Sequence, residues 1–185
     1  MPRVHIVGYL SIDRIETPTR RHDDVPGGAA LYAALGARAA GAAVMLHAAA
    51  GEDFARGWLD ALVRLRVDVA GVVHRPGPTR RARLVHTARG ARRSDYDAQW
   101  WARTGALAPP LPADVAPDDV VVVGPVTAAV AAAAIARGLG LGQQLERRFH
   151  RCAQRPKRAD KQFQQIVTGD VLDDPTAGFD HPSIR

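Results

Sequence analysis

"DDVPGGAALYAALGARAAGA", residues 23–42, sets Pro26, Gly27 and Gly28 directly in front of a long Ala-rich run. Glycine loses more conformational freedom on ordering than any other residue, so the pair does nothing for the helix that follows. Such backbone suits a place where the chain must come close to something. Two readings follow from these residues alone. One is a tight turn that starts a helix; the other is a loop whose amides face a ligand at a helix N-terminus.

The sequence on either side places this turn in a fold. "RVHIVGYLSID" (3–13) opens with a short apolar run, Val4 to Val7, ending at Gly8, which reads as a buried first strand with Asp13 just beyond its C-terminal end. Residues 29–40 read as a helix and "AAVMLHAAAG" (42–51) as a second strand. In "EDFARGWLDALVRLRV" (52–67), Phe54, Trp58, Leu62 and Leu65 recur at helical spacing and form one apolar face. "VDVAGVV" (67–73) is a third short strand. "TRRARLVHT" (79–87) and "RRSDYDAQW" (92–100), joined at Arg89-Gly90-Ala91, read as a hairpin. The Pro-rich "GALAPPLPADVAPDD" (105–119) is a loop leading into the strand Val120 to Val123 and a helix from about Val126 to Arg137.

Alternating strands and helices predict an α/β fold, a parallel sheet covered by helices on both faces and interrupted by one antiparallel ribbon. In open sheets of this kind ligands collect beyond the carboxyl ends of the strands. Asp13 belongs to that edge, and so does Gly27-Gly28 if residues 14–26 are an excursion that returns to the same side.

Composition excludes several classes. The 185 residues are 46% hydrophobic, ample for one core. "MPRVHIVGYL" lacks the pattern of a signal peptide. The uncharged stretch 120–136 is divided by Gly124-Pro125 and reads as strand plus helix, not a membrane span. Cys152 is the only cysteine, which excludes an intrachain disulfide and a multi-cysteine zinc site. A cytoplasmic location is the default expectation. The net charge of +6 is concentrated in residues 147–161, "RRFHRCAQRPKRADK", so it describes one segment and not a domain surface; a basic run of this kind usually forms a solvated face, and nucleic-acid binding through it is the weakest of the readings.

That segment lies within a wider change of regime. Residues 1–142 hold 31 alanines, one glutamine and no lysine, whereas residues 143–185 hold three alanines, six glutamines and both lysines. The expectation is a body, 1–142, and a divergent, poorly ordered basic and polar tail, 143–185. The tail is either an ordinary extension or the mark of a continuation lost by frameshift, truncation or rejoining.

Over about residues 3–137 the chain resembles the N-terminal half of the ribokinase-like, or PfkB, family of carbohydrate and nucleoside kinases. The resemblance rests on the order and spacing of "GYLSID", "PGGAALYAALGARAAGA", "AAAGEDFARGWLDAL", "RVDVAGVV" and "VVVVGPV". It implies a ribokinase-like three-layer fold with a small β lid, of which residues 79–97 would be part. It implies that Asp13 accepts hydrogen bonds from sugar hydroxyls, as charge-assisted bonds suit, and that Gly27 and Gly28 bring backbone amides to the substrate. Tyr32 stands where many members have Asn, which bears on substrate identity. In some members the lid pairs with a second subunit, so a homodimer through the lid is a further expectation.

The resemblance also implies ATP and Mg²⁺, bound through an Asn-x-x-Glu motif and a Gly-Ala-Gly-Asp turn in the family's C-terminal half. The sequence contains no asparagine, and "DPTAGFD" (174–180) has its glycines out of place. The expectation is therefore a truncated or frameshifted member that keeps substrate-side residues and lacks the catalytic end. The alternatives are a non-catalytic sugar-binding or dimerisation module and a nucleic-acid binder acting through the basic tail. "GLGLG" (138–142) follows a helix and reads as a C-cap and loop; His150 and Cys152 lack further ligands nearby, and no serine sits in a Gly-x-Ser-x-Gly elbow. Trp100-Trp101 are expected to pack under the lid, the alternative being an exposed aromatic pair that faces a partner.

Overall fold

The computed structural model describes residues 2–96 and 98–139. The expectations for the tail, its basic segment, His150, Cys152 and Asp174 to Asp180 lie outside the described residues.

The apolar runs form one parallel sheet. Strands β1 (Arg3–Tyr9), β4 (Ala43–Gly51), β5 (Val67–Arg75) and β8 (Val120–Val123) lie in the order β5-β4-β1-β8, with Val4 opposite Val44 and Val120. Helices α1 (Ala29–Ala39) and α2 (Arg56–Arg64) connect β1, β4 and β5. Small residues let α1 approach closely: a β-carbon on Gly8 would stand 3.0 Å from that of Ala30. Successive strand residues face opposite ways. On the other face of β1, therefore, Val7 packs with Val121, Leu139 and Ala134 of helix α4 (Ala128–Ala136), and the sheet is covered on both sides as the alternation predicts. Thr127 caps α4 by accepting the Val130 N–H, and Gly138, at φ 69°, ends it with the Leu139 N–H on Ala134 O at 2.9 Å. The C-cap reading holds for Gly138.

A second, four-stranded sheet stands apart in the order β3-β2-β6-β7, from β2 (Ser11–Glu16), β3 (Arg21–Gly27), β6 (Arg81–His86) and β7 (Arg92–Tyr96). It is mixed: β2/β3 and β6/β7 are antiparallel, while β2 runs parallel to β6 with Asp13 opposite Ala82. Cross-strand ion pairs occupy its exposed face, among them Arg83 with Glu16 and Asp95, and Arg81 with Asp24; Arg81 also pairs with Asp53 in the turn after β4. Exposed pairs contribute little individually; they mark this face as solvated.

The structure adds detail to two expectations and changes one. Asp13 does lie just beyond the C-terminal end of β1, and there it belongs to β2, because the chain passes from the main sheet to the lid through Leu10 alone. Residues 14–26 are an excursion that returns to the same side, and they do so by completing β2 and forming β3, which add to residues 79–97 in the lid. "RRSDYDAQW" is not all strand: β7 stops at Tyr96 and helix α3 (Ala98–Ala106) begins at Ala98. Among the described residues no helix is long and apolar enough to cross a membrane.

Candidate functional site

Where the lid faces the carboxyl end of β1, the N-termini of α1 and α4 and the inner side of α3 enclose a cavity of about 780 Å³. Tyr9 enters it from the end of β1, Ser11 and Asp13 from β2, Gly28 and Tyr32 from the start of α1, Arg80 from the residue before β6, and Trp100 from α3. Alternation along β2 sends Ser11 and Asp13 to one side, and alternation along β6 puts Arg80 with the buried Ala82 and Leu84 while Arg81 and Arg83 face water.

Asp13 is 4% exposed. Burial raises its pKa; the Ser11 hydroxyl, the Ala82 amide and the charges of Arg80 and Arg92 offset part of that rise. A β-carbon on Gly27 would stand 2.0 Å from Asp13 Oδ2, so the missing side chain is what admits the carboxylate. Gly28 has φ 103°, a region L side chains rarely adopt, and a β-carbon there would lie 2.3 Å from the Tyr9 carbonyl oxygen. Gly28 lines the cavity while Gly27 stands behind Asp13. Tyr32 has its phenol pKa raised by burial and by the negative charge of Asp13.

Arg80 is a site residue that the sequence reading missed. It is 5% exposed, and its guanidinium lies between two rings, 3.9 Å from the centroid of Tyr9 and 4.0 Å from that of Trp100. Nη1 donates to Thr104 Oγ1 at 3.2 Å. Burial lowers its pKa to about 10. The period-two pattern of "TRRARLVHT" carried the signal, since Arg80 shares parity with Ala82 and Leu84.

Four buried side-chain atoms among the described residues have no hydrogen-bond partner: Tyr9 OH, Ser11 Oγ, Asp13 Oδ1 and Arg80 Nε. All four belong to residues lining this one cavity. Ser11 Oγ stands beside the carboxylate without meeting it in hydrogen-bond geometry. Buried polar groups are normally paired, so a cluster of unpaired donors and acceptors around one cavity marks it as the candidate site.

The comparisons agree on the architecture. A nucleoside kinase of Burkholderia thailandensis, solved in complex with inosine, superposes with a TM-score of 0.50 at 19% identity, over 66% of this chain and 44% of that one. The fold is ribokinase-like. A ribokinase from Cryptococcus neoformans var. grubii serotype A, solved with ADP, also matches, at 19% identity and a TM-score of 0.47, over 66% of this chain and 42% of that one. In sequence, the chain is 37% identical to a cytidine kinase of Thermococcus kodakarensis over 86 residues, which are 46% of this chain and 31% of that enzyme. No protein-family model matches the chain. The resemblance to ribokinase-like, or PfkB, kinases thus holds in sequence and in structure, and the chain spans less than half the length of these relatives.

Proposed function

We propose that the ribokinase-like body is the acceptor-substrate half of a kinase that phosphorylates a hydroxyl of a nucleoside or sugar. The observation that carries this reading is the set of four unpartnered buried polar atoms around one cavity at the carboxyl end of β1. The cytidine kinase and the inosine-bound nucleoside kinase support the substrate class. Asp13 accepts hydrogen bonds from substrate hydroxyls through Oδ1. Arg80, immobilised between two rings, donates through Nε. Tyr9, Ser11 and Tyr32 complete the polar floor, and Gly28 lets the ligand reach backbone at the mouth of α1.

ATP is the phosphoryl donor and Mg²⁺ the ion of the reaction this half serves. The described residues do not fit either group: none of their His, Cys, Asp and Glu side chains form a cluster of three or more that could hold a metal ion, and the 185 residues contain no asparagine for an Asn-x-x-Glu motif. What these residues do is bind, orient and shield the acceptor. Phosphoryl transfer depends on positioning and electrostatic stabilisation around the phosphates, and the 185 residues alone are proposed not to catalyse it. The boundary near residue 142 is proposed to separate the substrate half from an unrelated tail. Reading the DNA downstream of codon 142 in all frames tests that boundary. Self-association through the lid is proposed because β3 and β7 are its edges; equilibrium sedimentation tests it.

The central experiment is calorimetry of the 185-residue chain with a panel of nucleosides and sugars. Binding that Asp13→Ala abolishes supports the reading, and binding indifferent to that change removes Asp13 from the site. Incubation with Mg-ATP and the same panel is expected to give no phosphorylated product. Turnover above a blank would show that the 185 residues hold a complete kinase.

A further inference from the structure

The turn that ends β4 reaches the cavity only through another segment. Gly51, Glu52 and Asp53 do not line it, yet all three hold "PGPTR" (76–80), the stretch that leads from β5 of the main sheet into β6 of the lid and ends in Arg80. A β-carbon on Gly51 would stand 2.3 Å from Thr79 N and 2.4 Å from Gly77 O, so the glycine is what admits this second backbone. The Glu52 amide donates to Gly77 O at 3.0 Å, and Glu52 Oε2 takes the Gly77 N–H at 3.0 Å. The Gly51 amide donates to Thr79 Oγ1 at 2.9 Å, and Asp53 Oδ1 takes the Thr79 N–H at 2.6 Å. Pro76 and Pro78 have no N–H to offer, and their carbonyls accept from Arg103 of α3.

Asp53 grips both neighbours of Arg80. Oδ1 holds the residue before it, and Oδ2 takes Nη2 of Arg81, the residue after it, at 3.2 Å. The carbonyl of Arg80 itself accepts the Ile12 N–H at 2.9 Å. From this fixed backbone the Arg80 side chain reaches a gap with little slack, its guanidinium 3.9 Å from the centroid of Tyr9 and 4.0 Å from that of Trp100. The two bonds of Asp53 differ in weight. The pair with Arg81 is partly exposed and contributes little by itself. Thr79 is fully buried, and its N–H left without an acceptor would carry a desolvation cost that a shift of the segment relieves. We propose that Asp53 is a positioning residue, which through Thr79 and Arg81 sets the backbone that inserts Arg80 between Tyr9 and Trp100 and so shapes the cavity wall without touching a ligand. The proposal rests on the preceding reading of that cavity as the acceptor site.

Nuclear magnetic resonance of the ¹⁵N-labelled 185-residue chain reads Arg80 directly. Its buried Nε–H, held between two ring faces, is expected far upfield of the exposed arginines and is assigned by its loss in Arg80→Lys. Asp53→Ala is expected to move that signal at least halfway to the exposed arginines. In calorimetry the same change should weaken cytidine and inosine binding about fivefold, one hydrogen bond's worth. Asp53→Asn keeps an oxygen for the Thr79 N–H and is expected to restore both. Glu16→Gln, which loosens the ion pair with Arg83 on the lid's exposed face, is expected to change neither. The Asp53 side chain is 34% exposed, so the alanine variant is compatible with folding, which far-UV circular dichroism verifies; if it does not fold, Asp53→Ser, too short to hold both neighbours, is read in its place. An Arg80 signal unmoved in Asp53→Ala, a signal moved as far in Asp53→Asn, or nucleoside affinity unchanged despite a moved signal would each overturn the proposal. A signal that moves as expected in a chain whose parent binds neither nucleoside defeats the acceptor reading and keeps Asp53 as the residue that places Arg80.

Discussion

Gly27 backs the carboxylate of Asp13 with no room to spare: a β-carbon on the glycine would stand 2.0 Å from Oδ2 and 2.5 Å from Cγ. Ser11 pairs with Gly27, and Asp13 with Val25, across the β2/β3 ladder, so neither backbone can yield alone. Gly27→Ala is expected to push Asp13 off its position, lowering stability by about 1–3 kcal/mol, the usual cost of overpacking. It should also remove ligand affinity, although Gly27 itself does not line the cavity. Denaturant titration beside calorimetry checks both; a variant that binds as the parent does would show that Asp13 tolerates displacement.

Asp13 carries a cost in the empty protein. Its folded pKa lies above the unfolded value of 3.8, mainly through burial, so the folded state holds the proton more tightly. The sign follows: the ionised carboxylate subtracts from stability as pH rises through 3.8 toward the folded value. Asp13→Asn is therefore expected to be more stable than the parent at pH 7, with the advantage vanishing below about pH 3.8. The same change should weaken hydroxyl binding by roughly 10–150-fold, the range for a hydrogen bond to a charged group. Denaturant midpoints across pH check the first part; an Asn variant less stable at pH 7 would mean the carboxylate is fully compensated within the protein.

Arg80 ties Tyr9 of the main sheet to Trp100 of α3. Lysine keeps the charge but has no planar face to stack and no fork to reach Thr104. Arg80→Lys is expected to cost about 1–3 kcal/mol from two cation–π contacts and one hydrogen bond, with the near-ultraviolet signal of the tryptophans altered. A lysine variant of unchanged stability and spectrum would show that the sandwich contributes nothing.

The main sheet was legible because its strands are buried on both faces and read as apolar runs, Val4 to Val7 and Val120 to Val123 being the clearest. The lid was only half legible. One of its faces is solvated and held by Arg–carboxylate pairs, so β2 and β3 look like charged loop, and the parallel pairing of Asp13 with Ala82 joins segments that no local pattern connects. Helix α3 is nine residues long and has no fully buried side chain among those described, which leaves no apolar stripe to read. Asp13 and Gly28 were legible from the strand end and the glycine turn and Tyr32 through the resemblance, and these three line the cavity while Gly27 does not; Trp101, expected under the lid, is 64% exposed, and Arg80 and Tyr96, which depend on the lid, were not singled out.

A relay of Asp119, His5 and His47 lies outside the site and is expected to set an acid limit on stability. Asp119 accepts from His5 Nε2 at 3.1 Å, and His5 Nδ1 lies 3.0 Å from His47 Nε2, with the two imidazoles stacked. The carboxylate only accepts, so His5 donates through Nε2 and, when neutral, takes a hydrogen bond from His47 at Nδ1. Burial and the charge of His5 lower the pKa of His47 to about 4, against a pull upward from Asp68. The Arg3 amide and His5 hold Asp119 down to about 2, helped by the Ala116 amide and the Arg3 side chain. For His47 the folded value lies below the unfolded 6.5, so stability is fully present above pH 6.5 and declines as pH falls toward 4. For Asp119 a second decline runs from about 3.8 down to about 2. The His47 decline has a slope of at most about 1.4 kcal/mol per pH unit, one proton's worth. In urea denaturation followed against pH, His47→Gln is expected to flatten the first decline and Asp119→Asn the second. A His47→Gln variant that keeps the full slope between pH 6.5 and 4 would show that the proton is taken up elsewhere, and that the relay does not set the acid limit.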